Sequence, residues 1–295
     1  MGCETSEAMQ RGRRLPPWIL AGVLTLGPGC ATAVPYVGQG PTPQISRGRP
    51  CPPIDFLGNI CGLPTKLLLW NWKVENHAIS VPTERILRDY LADPHSHVEG
   101  AHFRLNEYAP FQDLARLVTN HCVAWPYRLL LGLPTTLISE VLLPGRIFGG
   151  LVSGDHYNPF TNTVSLYSDL PAVALHEAGH VHDFNEHRFK GTYASLRLLP
   201  FVDLHQESEA TEEAIEYFAN TRQYDQEIAA YKILYPAYGS YVGGYVGQLV
   251  PFGDLIAILI GHISGRNKAA ARAAFYAQQE AAQSAMLRAA LTAQK

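Results

Sequence analysis

Hydrophobic residues recur along the chain at two different spacings, one typical of helices and the other of strands. From residue 82 onward, apolar side chains recur every three or four positions, which predicts a helix. Residues 161–168 instead alternate between apolar and polar side chains, and this pattern predicts a strand with one buried face. The same criteria predict an extended segment at residues 98–108, a loop at residues 190–204, and further helices at residues 111–118, 206–222 and 268–295.

The chain divides into segments of different composition. Residues 31–53 are rich in proline, glycine and threonine, which predicts an extended tether. Residues 54–267 contain most of the periodic segments and form one predicted domain, whereas residues 268–295 are rich in alanine and predict a surface helix. Because predicted helices are many and predicted strands are few, we expect an α+β fold in which a small mixed sheet packs against helices.

Two long apolar stretches indicate contact with a membrane or burial in the core. Residues 238–263 are long enough to span a bilayer, and glycines at intervals of four allow close helix packing. However, Gln248, Pro251 and Asp254 interrupt this stretch near its middle. We therefore expect two helices that lie in the core or against a membrane, rather than one membrane span. Residues 123–152 are similarly apolar and are interrupted by charged residues.

The first thirty residues have the pattern of an export signal. Arginines precede an uncharged apolar run at residues 18–26, and small residues follow it. Because Cys30 comes directly after these small residues, residues 1–30 resemble a bacterial lipoprotein signal. This resemblance implies export to the cell envelope and a lipid anchor on Cys30. Pro28 departs from the usual pattern, so export without lipidation and an uncleaved membrane anchor remain alternatives.

The cysteines indicate the same compartment. Cys51 and Cys61 flank a short segment and are predicted to close a small disulfide loop under oxidising conditions. Cys122 is predicted to be a buried thiol. These cysteines are too few, and wrongly spaced, for a cysteine zinc site.

The composition and net charge of the chain restrict the class of protein to which it can belong. Hydrophobic residues make up 47% of the chain and charged residues 17%, values that are typical of a globular and rather apolar protein. The net charge is -3, and no run of lysine and arginine stands out in the body of the chain. Nucleic acid is therefore not an expected partner.

One segment of the chain matches the HExxH pattern, His176-Glu177-Ala178-Gly179-His180. Positions i and i+4 of a helix lie about 40 degrees apart around its axis, so both histidines can bind one metal ion. The glutamate lies about 100 degrees from the first histidine, within reach of a water at the metal, where it can act as general base. The pattern predicts a catalytic zinc site. A helix with two ordinary histidines is the alternative.

A catalytic zinc site needs a third protein ligand, and the helix predicted at residues 206–222 offers five glutamates. Glu207 lies near the centre of the apolar stripe of this helix. An acid on an apolar face is costly unless it is paired or bound to a metal, so we predict that Glu207 is the third ligand. The other acids are expected to face solvent: Glu209, Glu212, Glu213 and Glu216.

HExxH followed by a glutamate on a later helix resembles the gluzincin metallopeptidases. The segment Glu207-Ser208-Glu209-Ala210-Thr211 is similar to the ExxAD segment of the prenyl-protease-like branch. In that similarity the first residue, Glu207, is the metal ligand. Thr211 stands where that branch has aspartate, so Asp183 is a second candidate to orient a ligand histidine. The resemblance implies a zincin-like fold, a Zn²⁺ cofactor, and a peptide substrate held along an edge strand at residues 161–168.

A second alignment places the third ligand elsewhere. In this alignment, Glu216-Tyr217-Phe218-Ala219 resembles the EFFA segment of lethal-factor-like toxins. The zinc motif of these toxins also continues as HExGHxxD. In that alignment Glu216 is the ligand, although it lies opposite the apolar stripe. Both resemblances are confined to about residues 161–222.

Together these observations predict a zinc-dependent metallohydrolase, specifically a membrane-associated peptidase. Its predicted ligands are His176, His180 and Glu207, and its predicted general base is Glu177. The alternatives are a zinc-binding envelope lipoprotein without peptidase activity and an envelope protein whose HExxH is accidental. The group that stabilises the oxyanion is left open among His156, Tyr193 and Tyr217.

Overall fold

The structure, a computed structural model, describes residues 33–34, 44–152 and 154–293. These residues form an α+β fold in which a small mixed sheet packs among helices, as the sequence predicts. The predicted export signal, including Cys30, lies outside the described residues.

The helices contain most of the described residues, and many of them begin at a proline. Proline in the first turn needs no hydrogen-bond partner for an N–H and already has a helical φ, so it favours a helix start. In chain order the helices are α1 (Pro52–Cys61), α2 (Leu63–Leu69), α3 (Val81–Leu91), α4 (Pro110–Thr119), α5 (residues 125–142, partly π-helical), α6 (Gly145–Phe148), α7 (Pro171–Glu186), α8 (Lys190–Leu196), α9 (Pro200–Asn220), α10 (Tyr224–Val246) and α11 (Gly253–Ala293).

The sheet of the described residues is mixed. Its strands are β1 (Ala33–Val34), β2 (Ile45–Gly48), β3 (His102–Leu105), β4 (His156–Asn158) and β5 (Thr163–Leu166). Their order across the sheet is β1-β2-β3-β5-β4. β2, β3 and β5 are parallel to one another, whereas β1 and β4 run antiparallel to their neighbours at the two edges.

The strand predicted at residues 161–168 exists, but its predicted place at the sheet edge is wrong. β5 pairs with β3 on one side and with β4 on the other, so β4 is the edge strand near α7. Polar residues of β5 are as buried as its apolar ones, because both faces of the strand are covered. Val164 lies in the core, and Thr163 accepts a hydrogen bond of 3.1 Å from Arg116 of α4 on the other face.

Predicted helices are confirmed at α3, α4, α7 and α9, with small shifts of their ends. The loop predicted at residues 190–204 is wrong, because α8 and the first turn of α9 occupy most of it. The alanine-rich helix does not begin at residue 268 either. It is the continuation of α11, which begins at Gly253.

The tether predicted at residues 31–53 is in part a strand of the sheet. β2 adds to β3 in parallel, and its Ile45 is buried. Arg47 forms an ion pair with Glu84 of α3, which ties the segment to the domain. At Gly48 a side chain would collide with the backbone of Asn106, so glycine is needed for the close approach of two chains. Composition alone does not reveal such a short buried strand.

The disulfide loop predicted between Cys51 and Cys61 does not form. Cys51 and Cys122 are disulfide-bonded, whereas Cys61 is a free thiol. Cys51 precedes α1 and Cys61 ends it, so the helix separates their Cα atoms by about 15 Å. A disulfide requires a Cα separation below about 7 Å. The prediction for Cys122 as a thiol is also wrong.

α7 is the central helix of the domain. One of its faces contributes Leu175, Ala178 and Val181 to the core that it shares with β3 and β5. α9 crosses it closely, because Gly179 has no side chain: a Cβ there would lie only 3.0 Å from the Cα and the carbonyl oxygen of Ala210. This close crossing brings residues of α7 and α9 that are far apart in sequence into contact.

The apolar stretch at residues 238–263 is divided between two helices, as predicted. The end of α10 and the beginning of α11 form an antiparallel pair, in which Gly239 faces Ile258 and Gly243 faces Asp254. None of the described helices is both long enough and apolar enough to cross a membrane.

Candidate metal centre

Helix α7 places the two histidines of the HExxH segment side by side. Their rings are edge-to-face, with centroids 4.7 Å apart. His180 is buried, and His176 keeps only a small exposed area. This is the arrangement expected from positions one helical turn apart on one face.

Glu207 of α9 lies directly against both rings. His176 Nε2 is 3.1 Å from Glu207 Oε2, and His180 Nε2 is 3.4 Å from Oε1 of the same carboxylate. Ligand atoms of the three residues all lie within 4.8 Å of one another. Two ligands of a tetrahedral zinc ion, each bonded at 2.0–2.1 Å, are about 3.3 Å apart. The residues present therefore fit a metal ion, and the predicted convergence of Glu207 on the two histidines is confirmed.

The competing ligand, Glu216, faces away from this group. It is exposed to solvent, as are Glu209 and Glu212, while Glu207 is completely buried on the opposite side of α9. His205 pairs with Glu209 and not with Glu207. Helical phase thus separated Glu207 correctly from Glu209, Glu212 and Glu216. Glu213 differs from the prediction, because it is only partly exposed and accepts a hydrogen bond of 2.8 Å from Tyr90 of α3.

The charges of the three residues are strongly coupled. Burial opposes ionisation of Glu207, but the two histidines outweigh it and hold the pKa of this carboxyl well below its usual value. Burial lowers the pKa of His180 to about 4, against the opposing effect of Glu207. Burial also lowers the pKa of His176, but the hydrogen bond from its ring to Glu207 raises it above its usual value overall. A carboxylate next to a neutral imidazole is the form that binds a divalent metal.

Glu177 lies beside this group and has the properties of a general base. It is buried, and burial raises the pKa of its carboxyl to about 7, with His176 acting in the opposite direction. Within the described part of the chain, no donor makes a hydrogen bond to this carboxylate, so it is available for a water. A pKa near neutrality is the most effective one for proton transfer at neutral pH.

Thr211, and not Asp183, contacts a ligand histidine from behind. Thr211 Oγ1 lies 3.3 Å from His176 Nδ1, so the threonine at the position of the aspartate in the ExxAD pattern contacts this ring. Asp183 instead accepts a hydrogen bond of 2.6 Å from Tyr193. When His176 binds a metal through Nε2, its Nδ1–H can donate to Thr211.

Arg197 is part of this site and was missed in the sequence. Its guanidinium forms an ion pair with Oε1 of Glu207 and lies 3.3 Å from Asp203 of the first turn of α9. Asp203 in turn accepts a hydrogen bond of 3.2 Å from Tyr245 of α10. The sequence contained one indication of this role: Arg197 is a single charged residue between leucines, in a segment that was predicted to be a loop.

The three candidate oxyanion groups have different surroundings. Tyr193 donates its hydroxyl to Asp183, and Tyr217 packs edge-to-face against Tyr90 at 4.9 Å. His156 lies 3.5 Å from Glu140 of α5; burial opposes its protonation, but Glu140, and in addition the charge of Glu177, raise its pKa to about 9.

Tyr241 of α10 is a phenol that is electrostatically coupled to the site. Burial raises its pKa well above the usual value, and the charges of Glu207 and Glu177 raise it further. Sequence reasoning missed this residue because α10 contains many tyrosines at similar spacing and nothing local distinguishes one of them.

The edge strand β4 lies next to α7. Tyr157 of β4 packs against Phe184 of α7, with ring centroids 5.7 Å apart. His156 and Asn158 point to the other face of the sheet, where Asn158 donates to Thr136 of α5. The three residues of β4 therefore form the outer edge of the sheet next to α7.

Comparison of the chain with protein-family models, with curated proteins and with solved structures finds no match, so the chemistry of the site is inferred from its own residues.

Proposed function

We propose that this chain is a zinc-dependent metallohydrolase of the HExxH type, with a zincin-like arrangement, and that it cleaves peptide bonds. The observation that carries this proposal is the buried group of His176, His180 and Glu207 with Glu177 beside it. Two imidazoles and one carboxylate form the ligand set of many catalytic zinc sites, which leave one position open.

In the proposed mechanism, His176, His180 and Glu207 would hold the metal. A zinc ion there would supply Lewis acidity to a water and to the substrate carbonyl. Glu177 takes a proton from the attacking water and later donates it to the leaving amine. Thr211 keeps the His176 ring in the tautomer that binds a metal, and Arg197 pairs with Oε1 of Glu207, the oxygen that also lies next to His180.

A peptide is the proposed substrate because the sheet edge next to α7 is a strand. β4 is the outermost strand of the described sheet on this side, and an edge strand can hydrogen-bond an extended peptide backbone. The phenol of Tyr241, on the helix that packs against α7, is the proposed donor to the oxyanion of the substrate.

Export is also part of the proposal. The disulfide-bonded state of Cys51 and Cys122 supports it, because disulfides persist in oxidising compartments such as the bacterial envelope. The lipoprotein-like segment at residues 1–30 supports it independently.

The first test is the metal content of the purified protein, measured by mass spectrometry after dialysis. We expect about one zinc per chain in the parent, a large loss in Glu207→Ala, and retention in Glu216→Ala, which is the matched control on the same helix. Retention in Glu207→Ala with loss in Glu216→Ala would transfer the ligand role to Glu216.

The second test is turnover of a broad peptide library, with Glu177→Gln as the comparison. This variant keeps all three ligands, so we expect it to hold zinc but to cleave nothing above background. If the parent holds zinc and also cleaves nothing, the chain is a zinc-binding protein without peptidase activity. If neither holds zinc, the proposal fails entirely.

A further inference from the structure

Two connecting segments at one end of the molecule expose a group of large apolar side chains. We call this group the apolar rim. Its members are 48% to 86% exposed, and they are Leu198, Leu199, Phe201, Leu249, Val250 and Phe252. A contiguous apolar surface of this kind on a soluble protein marks a contact with another protein or with a membrane.

The two halves of the rim lie together because a hydrogen bond joins the elements that carry them. Tyr245 donates to Asp203 at 3.2 Å, and these residues are separated by only a few positions from Leu249 and Phe201 respectively. Asp203 also pairs with Arg197, whose guanidinium contacts Glu207. Phe201 precedes Glu207 by six residues, a distance of about 9 Å along α9. The rim is therefore next to the candidate metal centre.

A stripe of apolar side chains on α11 continues the rim. We call it the α11 stripe. Each member is about half exposed, and together they are Leu255, Ile256, Leu259, Ile260 and Ile263. The opposite side of this helix packs on α10 through Gly261 and Gly265. One face of α11 is thus used within the fold, and the other is apolar and about half exposed.

The far end of the α11 stripe carries the side chains that prefer a membrane interface. Trp70 stacks on His262 with ring centroids 3.9 Å apart, and the guanidinium of Arg266 lies 4.6 Å from the Trp70 ring centroid. Trp70 and Trp72 are both well exposed. An apolar helix face bordered by tryptophan and arginine is typical of a helix that lies in the plane of a bilayer surface.

We propose that the apolar rim and the α11 stripe form a docking surface for a lipid bilayer, with α11 lying along the membrane. The rim lies at connections between helices, and its side chains are up to 86% exposed, which suits insertion between lipids. The predicted anchor at residues 1–30 would act on the same membrane.

The position of this surface also indicates a class of substrate, and this inference rests on the proposed function. With the rim in the bilayer, the metal group lies close to the lipid headgroups. Peptide segments next to a membrane, belonging to membrane-bound proteins or lipid-linked peptides, are then the substrates that reach it.

The test uses tryptophan fluorescence of the full chain on vesicles of phosphatidylglycerol and phosphatidylethanolamine, with and without bromine on the acyl chains. Phe252→Trp and Phe201→Trp add a fluorophore to the rim. Phe111→Trp is the matched control, because Phe111 is 66% exposed but lies on α4. All variants share the four native tryptophans, so the added signal is obtained by difference from the parent.

We expect brominated lipid to quench the added fluorescence of both rim variants by about half or more, as for side chains below the headgroups, and to leave that of Phe111→Trp nearly unchanged. Equal quenching at all three positions, or none at the rim, overturns the proposal. If the tryptophan emission of the rim variants shifts to the blue without vesicles, and the shift grows with protein concentration, a second copy of the chain occupies the surface. That result also overturns the proposal. The measurement needs neither zinc nor activity, so its result is independent of the proposed function.

Discussion

Replacing Gly179 by valine is expected to force α7 and α9 apart. A Cβ at this position lies 3.0 Å from the Cα and the carbonyl oxygen of Ala210, and 3.3 Å from the Cβ of Glu213. Two of these contacts are with backbone atoms, which cannot rotate away, and valine adds two methyl groups beyond the Cβ. Overpacking of this kind costs about 1–3 kcal/mol of the free energy of unfolding.

The same displacement is expected to weaken metal binding. Glu207 precedes Ala210 by three residues on α9, so a shift of the helix at Ala210 moves the carboxylate relative to His176 and His180. Metal–ligand distances tolerate changes of only about 0.2 Å. We therefore expect zinc affinity to fall by about tenfold or more, comparable to the loss of a group that orients a ligand.

Two measurements separate these effects. Urea unfolding followed by circular dichroism in the presence of a chelator gives the stability of the metal-free protein, because bound metal would otherwise add to it. Competition with a chromogenic chelator gives the zinc affinity. Gly244→Val is the matched control, since no atom lies within 4 Å of a Cβ at Gly244, and its stability is expected to change by less than about 0.5 kcal/mol. If Gly179→Val unfolds at the parent's urea concentration and binds zinc as tightly, the close crossing does not position the site.

Three further predictions follow from individual contacts. Thr211→Val removes the hydroxyl behind His176 and is expected to weaken zinc binding by about 10- to 100-fold in chelator competition, whereas an unchanged affinity would mean that the contact is incidental. Tyr241→Phe is expected to lower kcat by about 100-fold on a cleaved peptide while zinc content stays the same; an unchanged kcat would exclude the phenol from the reaction. Burial holds the pKa of His102 at about 4, below its ordinary 6.5, so stability is full above pH 6.5 and is lost as the pH falls toward 4. In His102→Gln this loss, up to roughly 3 kcal/mol, should largely disappear from urea unfolding measured across that range, and an unchanged pH profile would contradict the assignment.

Local periodicity was sufficient for the parts of the site that share one helix. The phase of an α-helix places His176 and His180 on one face, and it separates the buried Glu207 from the solvent-facing Glu216. These relations depend only on the regular rotation per residue and on the cost of burying an unpaired acid. Both are properties of the sequence itself once the segments are helical.

The periodicity of apolar residues was misleading for strands that are buried by neighbouring elements on more than one side. The alternating residues of β5 predicted a strand with one exposed face, but α4 and its Arg116 cover the second face. Pairing of β4 with β5 then makes β4, and not β5, the edge strand. The predicted tether contains β2, because pairing with β3 can bury a short strand whose composition is that of a loop. Neighbouring elements, and not the strands' own residues, decided both outcomes.

What the sequence determined by itself is therefore several of the helices, among them α7 and most of α9, and the pair of histidines with the buried glutamate. Only the tertiary structure decided that Thr211, and not Asp183, contacts His176, that Arg197 reaches Glu207, and that the charges of Glu207 and Glu177 act on Tyr241. The reason is physical: rotation per residue relates side chains within one helix, whereas contacts between helices depend on crossing positions such as Gly179, which the packing of the whole domain sets.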